Sequence, residues 1–525
     1  MNNAISNRIR KCLLVVLSLA VMVPSMQVQA SRLLFQHSQN FESGSDQAAL
    51  TRFRQRSTTR RALVAQVDAG AFDGDHLTLN LFPELNLEAT QSQMDFSGAT
   101  HRAWFANLNN NQGSAVFIIN GSRVSGKINS VHGTFEIFPL NNGRCVIVEH
   151  IPSQFPECGV DDRARRPPSR GSTATETNPS VNLADTAAPL TGAEPVTNLA
   201  TAADAPVENR IRVIVAYTAG ARFKTAFIFG RTMQEHVDLA IAESNQGYAN
   251  SSVWFRLELA CLYQTDSTET TDIEQDVVDF RNNGDGKFDE VHQLRADYDA
   301  DMCCLLTDGR DYVWCGWSYG FDYTSRENMF QATSYACATS NFSFIHEFGH
   351  TQGCRHNDDP AVTPIAYGHG FRNGSYWRTI MALADGTSAP RLNYWSNPRI
   401  NSPVYPYTAM GTPEDGTNFA HDCAAALNLS GNTVIHHETT PVTSTEPTNY
   451  SFADDEYADK LVSDSLTVSN FIANPGATIQ FRAGKSIRLS SGFQASTGSV
   501  FRAHLANNLI GETTNSATTS PLAAQ

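Results

Sequence analysis

Between His346 and His356 the chain sets three histidines and a glutamate at offsets that few local folds can use: His346-Glu347-Phe348-Gly349-His350-Thr351-Gln352-Gly353-Cys354-Arg355-His356. On a helix, residues four apart share a face, so the imidazoles of His346 and His350 can both reach one ion at roughly 2.0 to 2.1 Å. The run is therefore expected to be helical, with its metal-binding side turned to a cleft. Glu347 is badly placed as a third ligand and well placed to take a proton from a water attacking beside the ion. Gly353 can adopt the left-handed backbone that ends a helix, which lets His356 return to the same ion. Three protein ligands leave a fourth position open, and that separates a catalytic zinc from a closed structural one. Ile345 and Phe348, three residues apart, are expected to pack the helix into a core.

The pattern continues past the third histidine with Thr379-Ile380-Met381-Ala382, where Met381 can underlie the imidazoles as an apolar floor. This combination resembles the metzincin zinc proteases. The segments Trp377-Arg378-Thr379-Ile380-Met381, Arg391-Leu392-Asn393-Tyr394-Trp395-Ser396-Asn397-Pro398 and Ala240-Ile241-Ala242-Glu243-Ser244-Asn245, with Ser251 and Ser252, are similar to secreted bacterial metzincins of the peptidyl-Asp metallopeptidase type, over residues 208–437. The resemblance implies an α/β (α+β) catalytic domain with a twisted mixed sheet and a zinc helix below it. It also implies one catalytic Zn2+, protein or peptide substrates, and cleavage on the amino side of Asp or Glu. Two positions depart from the family pattern: Leu383, where such enzymes often carry a tyrosine, and Asn357, where many metzincins have an acid. Neither touches the ligands or the base, so they bear on substrate preference. Binding an acidic side chain calls for a cation in the wall beyond the scissile bond, where Arg372, Arg378 and Arg391 are the basic residues between His356 and Pro398. Arg378, just ahead of the methionine turn, is the first choice and Arg391 the second.

A chain of 525 residues is too long for one core. Residues 1–30 read as a signal peptide: Arg8, Arg10 and Lys11, an apolar run from Cys12 to Val23, then Val28-Gln29-Ala30. That run is shorter than the ~20 residues that span a bilayer, so a secreted, extracellular protein without a membrane span is expected. A formal charge of −15 argues against nucleic acid or an anionic membrane as partner. Residues 31–160 alternate polar and apolar in short runs, such as His76 to Leu81, and read as a β-rich propeptide. Residues 161–207, rich in Ala, Thr, Pro and Ser, read as a disordered linker in which Arg163-Ala164-Arg165-Arg166 offers a processing site. Within the catalytic domain, strands are expected at Arg210 to Ala216, Trp254 to Tyr263 and Met302 to Thr307, and helices at Thr232 to Ser251 and Val291 to Asp297. A second linker, 438–455, leads to a small all-β module of stacked rungs at 456–510, able to contact a surface or the secretion machinery, and a tail at 511–525.

The cysteines leave alternatives open. Phe155-Pro156-Glu157-Cys158-Gly159-Val160-Asp161 resembles the cysteine-switch peptide of matrix metalloproteinases, which would put a thiolate in the open zinc position. The competing reading is a disulfide between Cys145 and Cys158. Export favours disulfides elsewhere too, with Cys315 and Cys337 the best single pair and the adjacent Cys303 and Cys304 directed to different partners. Asn282-Asn283-Gly284-Asp285-Gly286-Lys287 suggests a Ca2+ loop, but the acids of an EF-hand are missing at both ends, so it reads as a turn with calcium a second candidate cation. The zinc endopeptidase has two rivals: a zinc amidase acting on a non-protein amide, and an inactive metzincin fold that binds a surface. Intact Glu347 and the three histidines speak against the inactive protein.

Overall fold

Unbroken apolar runs build the centre of the fold. In β1 (Arg210–Tyr217), β2 (Arg256–Gln264) and β3 (Met302–Thr307) consecutive residues are buried on both faces, as in parallel strands covered on two sides. The computed structural model describes residues 32–37, 44–92, 101–109, 113–160, 209–309, 313–413, 420–438, 443–445 and 450–505. Within it β4 (Gly316–Ser318), β5 (Phe330–Ser334), β6 (Tyr457–Val462), β7 (Thr478–Ala483) and β8 (Val500–Leu505) complete an eight-stranded sheet in the order β4-β5-β3-β1-β2-β6-β7-β8. β1, β2, β3 and β5 run parallel, and β4 pairs antiparallel with β5 at the edge. The sheet is thus mixed, as expected.

Helices make the crossovers. Met233–Asn250 joins β1 to β2 and starts at a capping box in which Thr232 Oγ1 accepts the Glu235 amide at 3.1 Å and Glu235 Oε2 accepts the Thr232 amide at 3.1 Å. Two helices, Ile273–Arg281 and Glu290–Asp297, precede β3. The first was not anticipated, although Asp272 caps it and Ile273, Val277 and Phe280 are its buried side. β2 starts later than expected because Trp254 lies exposed ahead of it. The motif helix, Ser343–Thr351, packs against β4 and β5 at one edge of the sheet.

The described residues between 32 and 150 build a separate ten-stranded sheet that closes on itself. Arg32–Leu33 and Phe35–Gln36 are two pieces of one strand broken at Leu34. One piece pairs with His76–Phe82 and the other with Thr59–Val67. Leu34 donates its amide to Thr78 and accepts the Asp68 amide, so the break keeps both ladders connected. The interior is filled by Leu77, Leu79, Trp104, Phe117, Phe135 and Cys145. The outside of this barrel lies on the helix Met233–Asn250. A helix, Gly44–Arg54, unforeseen in a region read as β-rich, puts Phe53 against Phe138.

The C-terminal residues stack as three columns of parallel strands: Thr443–Thr445, Ser465–Val468 and Ser486–Leu489; Ser451–Phe452, Ile472–Ala473 and Gln494–Ala495; and β6, β7 and β8. These windings enclose Phe452, Leu466, Phe471, Ile479 and Phe481. They are not a module held off by a linker. β6 pairs antiparallel with β2, Cys261 opposite Ala458 and Leu262 opposite Tyr457, and two strands of the first winding fall inside the stretch expected as linker. The bare edge of β2 explains the union, since unpaired strand groups need partners. The expected signal peptide, the 161–207 linker and the 511–525 tail lie outside the described residues. Among the described residues no helix is long and apolar enough to cross a membrane.

Candidate metal centre

The motif helix is buried along its whole length, with Ile345 and Phe348 in the main core. His346 and His350 stand one turn apart, and Gly353 at φ +92° turns the chain so that His356 comes back to them. The three Nε2 atoms form a near-equilateral triangle of 3.1, 3.1 and 3.2 Å. Nδ1 of His346 lies 2.8 Å from the Ile380 carbonyl, and Nδ1 of His350 lies 2.8 Å from that of Cys354. Each carbonyl holds a hydrogen on Nδ1, which leaves the Nε2 lone pair aimed inward. Burial first, then Arg391 and the neighbouring histidines, hold His346 well below the usual imidazole range and so neutral.

A fourth donor closes the set. Cys158 Sγ lies 3.5 Å from His350 Nε2, and the four donor atoms of Cys158, His346, His350 and His356 lie within 4.8 Å of one another. Around a tetrahedral zinc with bonds of about 2.05 Å to nitrogen and about 2.3 Å to sulfur, donors are separated by about 3.3 Å (N to N) and about 3.6 Å (N to S). The side chains fit that ion.

Against the motif helix Met381 is fully buried. A Cβ at Gly349 would fall 2.7 Å from Met381 Sδ and 2.8 Å from Trp395, so a glycine is what lets the helix settle onto this floor. Glu347 is fully buried, its Oε2 3.4 Å from Cys158 Sγ. β4 passes directly over it, since a Cβ at Gly316 would come within 2.5 Å of Glu347 Oε1.

Residues of the N-terminal unit lie across this site. The Cys315 amide donates to the Glu157 carbonyl at 2.9 Å, and the Gly159 amide donates to the Gly316 carbonyl at 3.4 Å. Gly159 lies flat on Trp317, where a Cβ would fall 2.2 Å from the ring. Phe155 packs on Cys315 and Cys337, which form the expected disulfide. The competing pairing of Cys145 with Cys158 is overturned, because Cys145 is sealed inside the barrel while Cys158 reaches the histidines. Cys303 and Cys304 do face opposite cores, but neither has a disulfide partner; like Cys261, Cys354 and Cys423 they are buried thiols.

The side chain of Glu157 enters a pocket built by the arginines. Its Oε2 lies 3.2 Å from Arg378 Nη1 and 3.1 Å from Arg391 Nη2, and its Oε1 accepts the Ala384 amide at 3.3 Å. Arg378 is held from behind by the carbonyls of Ala389 at 3.1 Å and Ala382 at 2.7 Å, and Arg391 by that of Asn341 at 2.9 Å. Burial, then the neighbouring Arg391, lowers the Arg378 guanidinium to about 9, and burial lowers Arg391 as well. Burial pushes the Glu157 carboxyl up, but Arg391 and Arg378 outweigh it and hold it below the usual range. Arg372 is elsewhere, paired with Asp358 and Asp385 nearer the surface. Asn357, the departure after the third histidine, accepts the Leu383 amide at 2.8 Å and donates to Asp385, so it ties the third ligand to the methionine turn. In the loop considered for calcium, Asp289 accepts the amides of Gly284 at 2.7 Å and Gly286 at 3.0 Å, which makes it a closed turn.

Sequence reasoning missed Glu157, the Ala384 amide and the glycine of β4. Glu157 had one available signal, its position next to Cys158; the other two act through backbone and leave no residue-type signature.

A family model, described as metallo-peptidase family M12, matches residues 207–396. The chain is 33% identical over 386 residues to a peptidyl-Asp metalloendopeptidase of Xanthomonas campestris, which covers 70% of this chain and 85% of that protein. It is 36% identical over 311 residues to a protein of the same name from Stenotrophomonas maltophilia strain R551-3, covering 58% and 67%. A protein so named from Pseudomonas fragi is 36% identical over 167 residues, 31% of this chain and 88% of that one.

Proposed function

The chain belongs to the peptidyl-Asp metalloendopeptidase family and is a zinc metalloendopeptidase; on that premise we propose that it is exported as a latent precursor and, once released, cuts peptide bonds on the amino side of acidic residues. His346, His350 and His356 would hold the zinc, which when bound supplies Lewis acidity to the scissile carbonyl. Glu347 takes the proton of the attacking water and hands it to the leaving amine. The amide of Cys315 and the carbonyl of Gly316, which engage Glu157 and Gly159 in the precursor, are the groups that β4 offers to a substrate backbone. In the precursor Cys158 takes the fourth position beside the histidines and excludes water from it.

The observation that carries the acid preference is the grip of Arg378, Arg391 and the Ala384 amide on a carboxylate one residue from Cys158. A charge-assisted contact of this kind contributes about 1.5 to 3 kcal/mol, so Arg378→Ala should lower cleavage before Asp by roughly ten-fold or more and spare cleavage before Leu. Products from a mixed peptide library, read by mass spectrometry, test it. A wild-type enzyme without preference for Asp or Glu after the cut would end the specificity reading and leave the zinc endopeptidase standing.

A further inference from the structure

We infer that Glu157 is a built-in stand-in for the acidic side chain of a substrate, so that the prosegment closes the enzyme at two adjacent points, a thiol at the histidines and a carboxylate between two arginines. The inference rests on the acid-binding reading of the pocket and adds the regulation of that pocket.

All three groups that hold the Glu157 carboxylate belong to the catalytic domain. The remaining bonds of Arg378 and Arg391 go to carbonyls of Ala382, Ala389 and Asn341, which are also groups of the catalytic domain. Two cations buried side by side repel each other and need an anion between them. Glu157 supplies it in the precursor.

The backbone of the same stretch is held as a ligand would be. Glu157 and Gly159 hydrogen-bond to Cys315 and Gly316 of the sheet edge, and the disulfide of Cys315 with Cys337 anchors that edge. The missing Cβ of Gly159 permits the approach to Trp317. What reaches the histidines is a side-chain sulfur rather than a peptide carbonyl, so the segment is bound without being cut.

The test compares intact precursors carrying Glu157→Gln, Glu157→Asp or Cys158→Ala on a quenched peptide containing Asp. Glu157→Gln should raise the activity of the uncleaved chain roughly ten-fold or more over wild type, the scale of one lost charge-assisted contact, while Glu157→Asp keeps most of the latency. A Glu157→Gln precursor that melts like wild type and stays equally latent overturns the inference. If that variant does not fold, an eight-residue peptide matching residues 153–160 is added to enzyme already freed of its prosegment. The peptide with Glu at position 157 should inhibit at least about ten-fold better than the one with Gln; equal inhibition overturns the inference. Cleavage before Asp and before Leu is measured on the same enzyme. Equal peptides with intact Asp preference refute the mimicry alone, whereas a Glu-dependent peptide with no Asp preference upholds the contact and refutes the specificity reading.

Discussion

Glu347 shows how much one side chain can carry. Glu347→Gln leaves the three histidines and their Nδ1 carbonyl partners unchanged, so zinc should still bind, but the carboxylate proposed as the base is gone. Turnover should fall by about two to four orders of magnitude, and metal content measured on the same preparation should stay at wild-type level. Near-normal hydrolysis with full zinc would remove Glu347 from its role. Asp301 offers a different test at this scale. Burial raises its carboxyl to about 7, against the opposing amides of Arg212 and Glu438. Its unfolded value is near 3.9, so between about pH 4 and pH 7 the unfolded chain has lost the proton that the folded chain keeps. Stability from this group therefore falls as pH rises through that window and is level above it. Asp301→Asn should flatten that part of the melting profile, by up to a few kcal/mol in all; an unchanged slope would show that Asp301 does not titrate there.

Among the elements, the edge strand β4 is the one whose brevity hid its importance. Its Gly316 leaves no room above Glu347 Oε1. Gly316→Ala should displace either the strand or the base by a few tenths of an ångström or more, and turnover should drop at least ten-fold, the sensitivity expected when a catalytic group is misplaced by under 1 Å. Steady-state kinetics should show the loss mainly in kcat; an unaltered kcat would mean the strand yields freely. The motif helix, the capped helix Met233–Asn250 and the apolar strand Met302–Thr307 were all legible as sequence patterns. β4 and β5 were not, because three or five residues carry too little periodicity to separate from loop.

The whole molecule depends on its two ends more than a string of modules would. Asp455, in the first winding of the C-terminal stack, accepts the Met233 amide at 2.6 Å and the Gln234 amide at 3.0 Å, capping the helix that crosses from β1 to β2. Arg212 of β1 meets Glu258 at 2.6 Å, and both lie against Asp459 and Arg482 of the stack. Ending the chain after Glu438 removes the cap, worth about 1 kcal/mol, along with the partners of a buried ion network and of the β2 edge. The melting temperature should drop by roughly 5 °C or more and the product should aggregate. A truncated protein that melts with the full chain would make the stack a passive attachment. At the other end, the buried Arg231 of the catalytic domain pairs with Glu136 of the barrel at 2.7 Å.

What the sequence determined by itself was local chemistry. Three histidines, a glutamate and a glycine at fixed offsets dictate a helix, a turn and a triangle of imidazoles, because the spacing is a property of the backbone. The pairing of Cys315 with Cys337 was also read from the sequence, and Arg378 and Arg391, singled out there as candidates, meet at one carboxylate in the fold. Only the tertiary structure could decide what Cys158 and Glu157 touch. They are separated from the motif helix by 189 residues at the thiol contact with Glu347 and from Arg391 by 234, and no periodicity reports a contact across such a span. The same holds for the C-terminal stack. Its rungs were visible as alternating residues, but that they would complete the catalytic sheet depended on an edge of β2 left bare by folding.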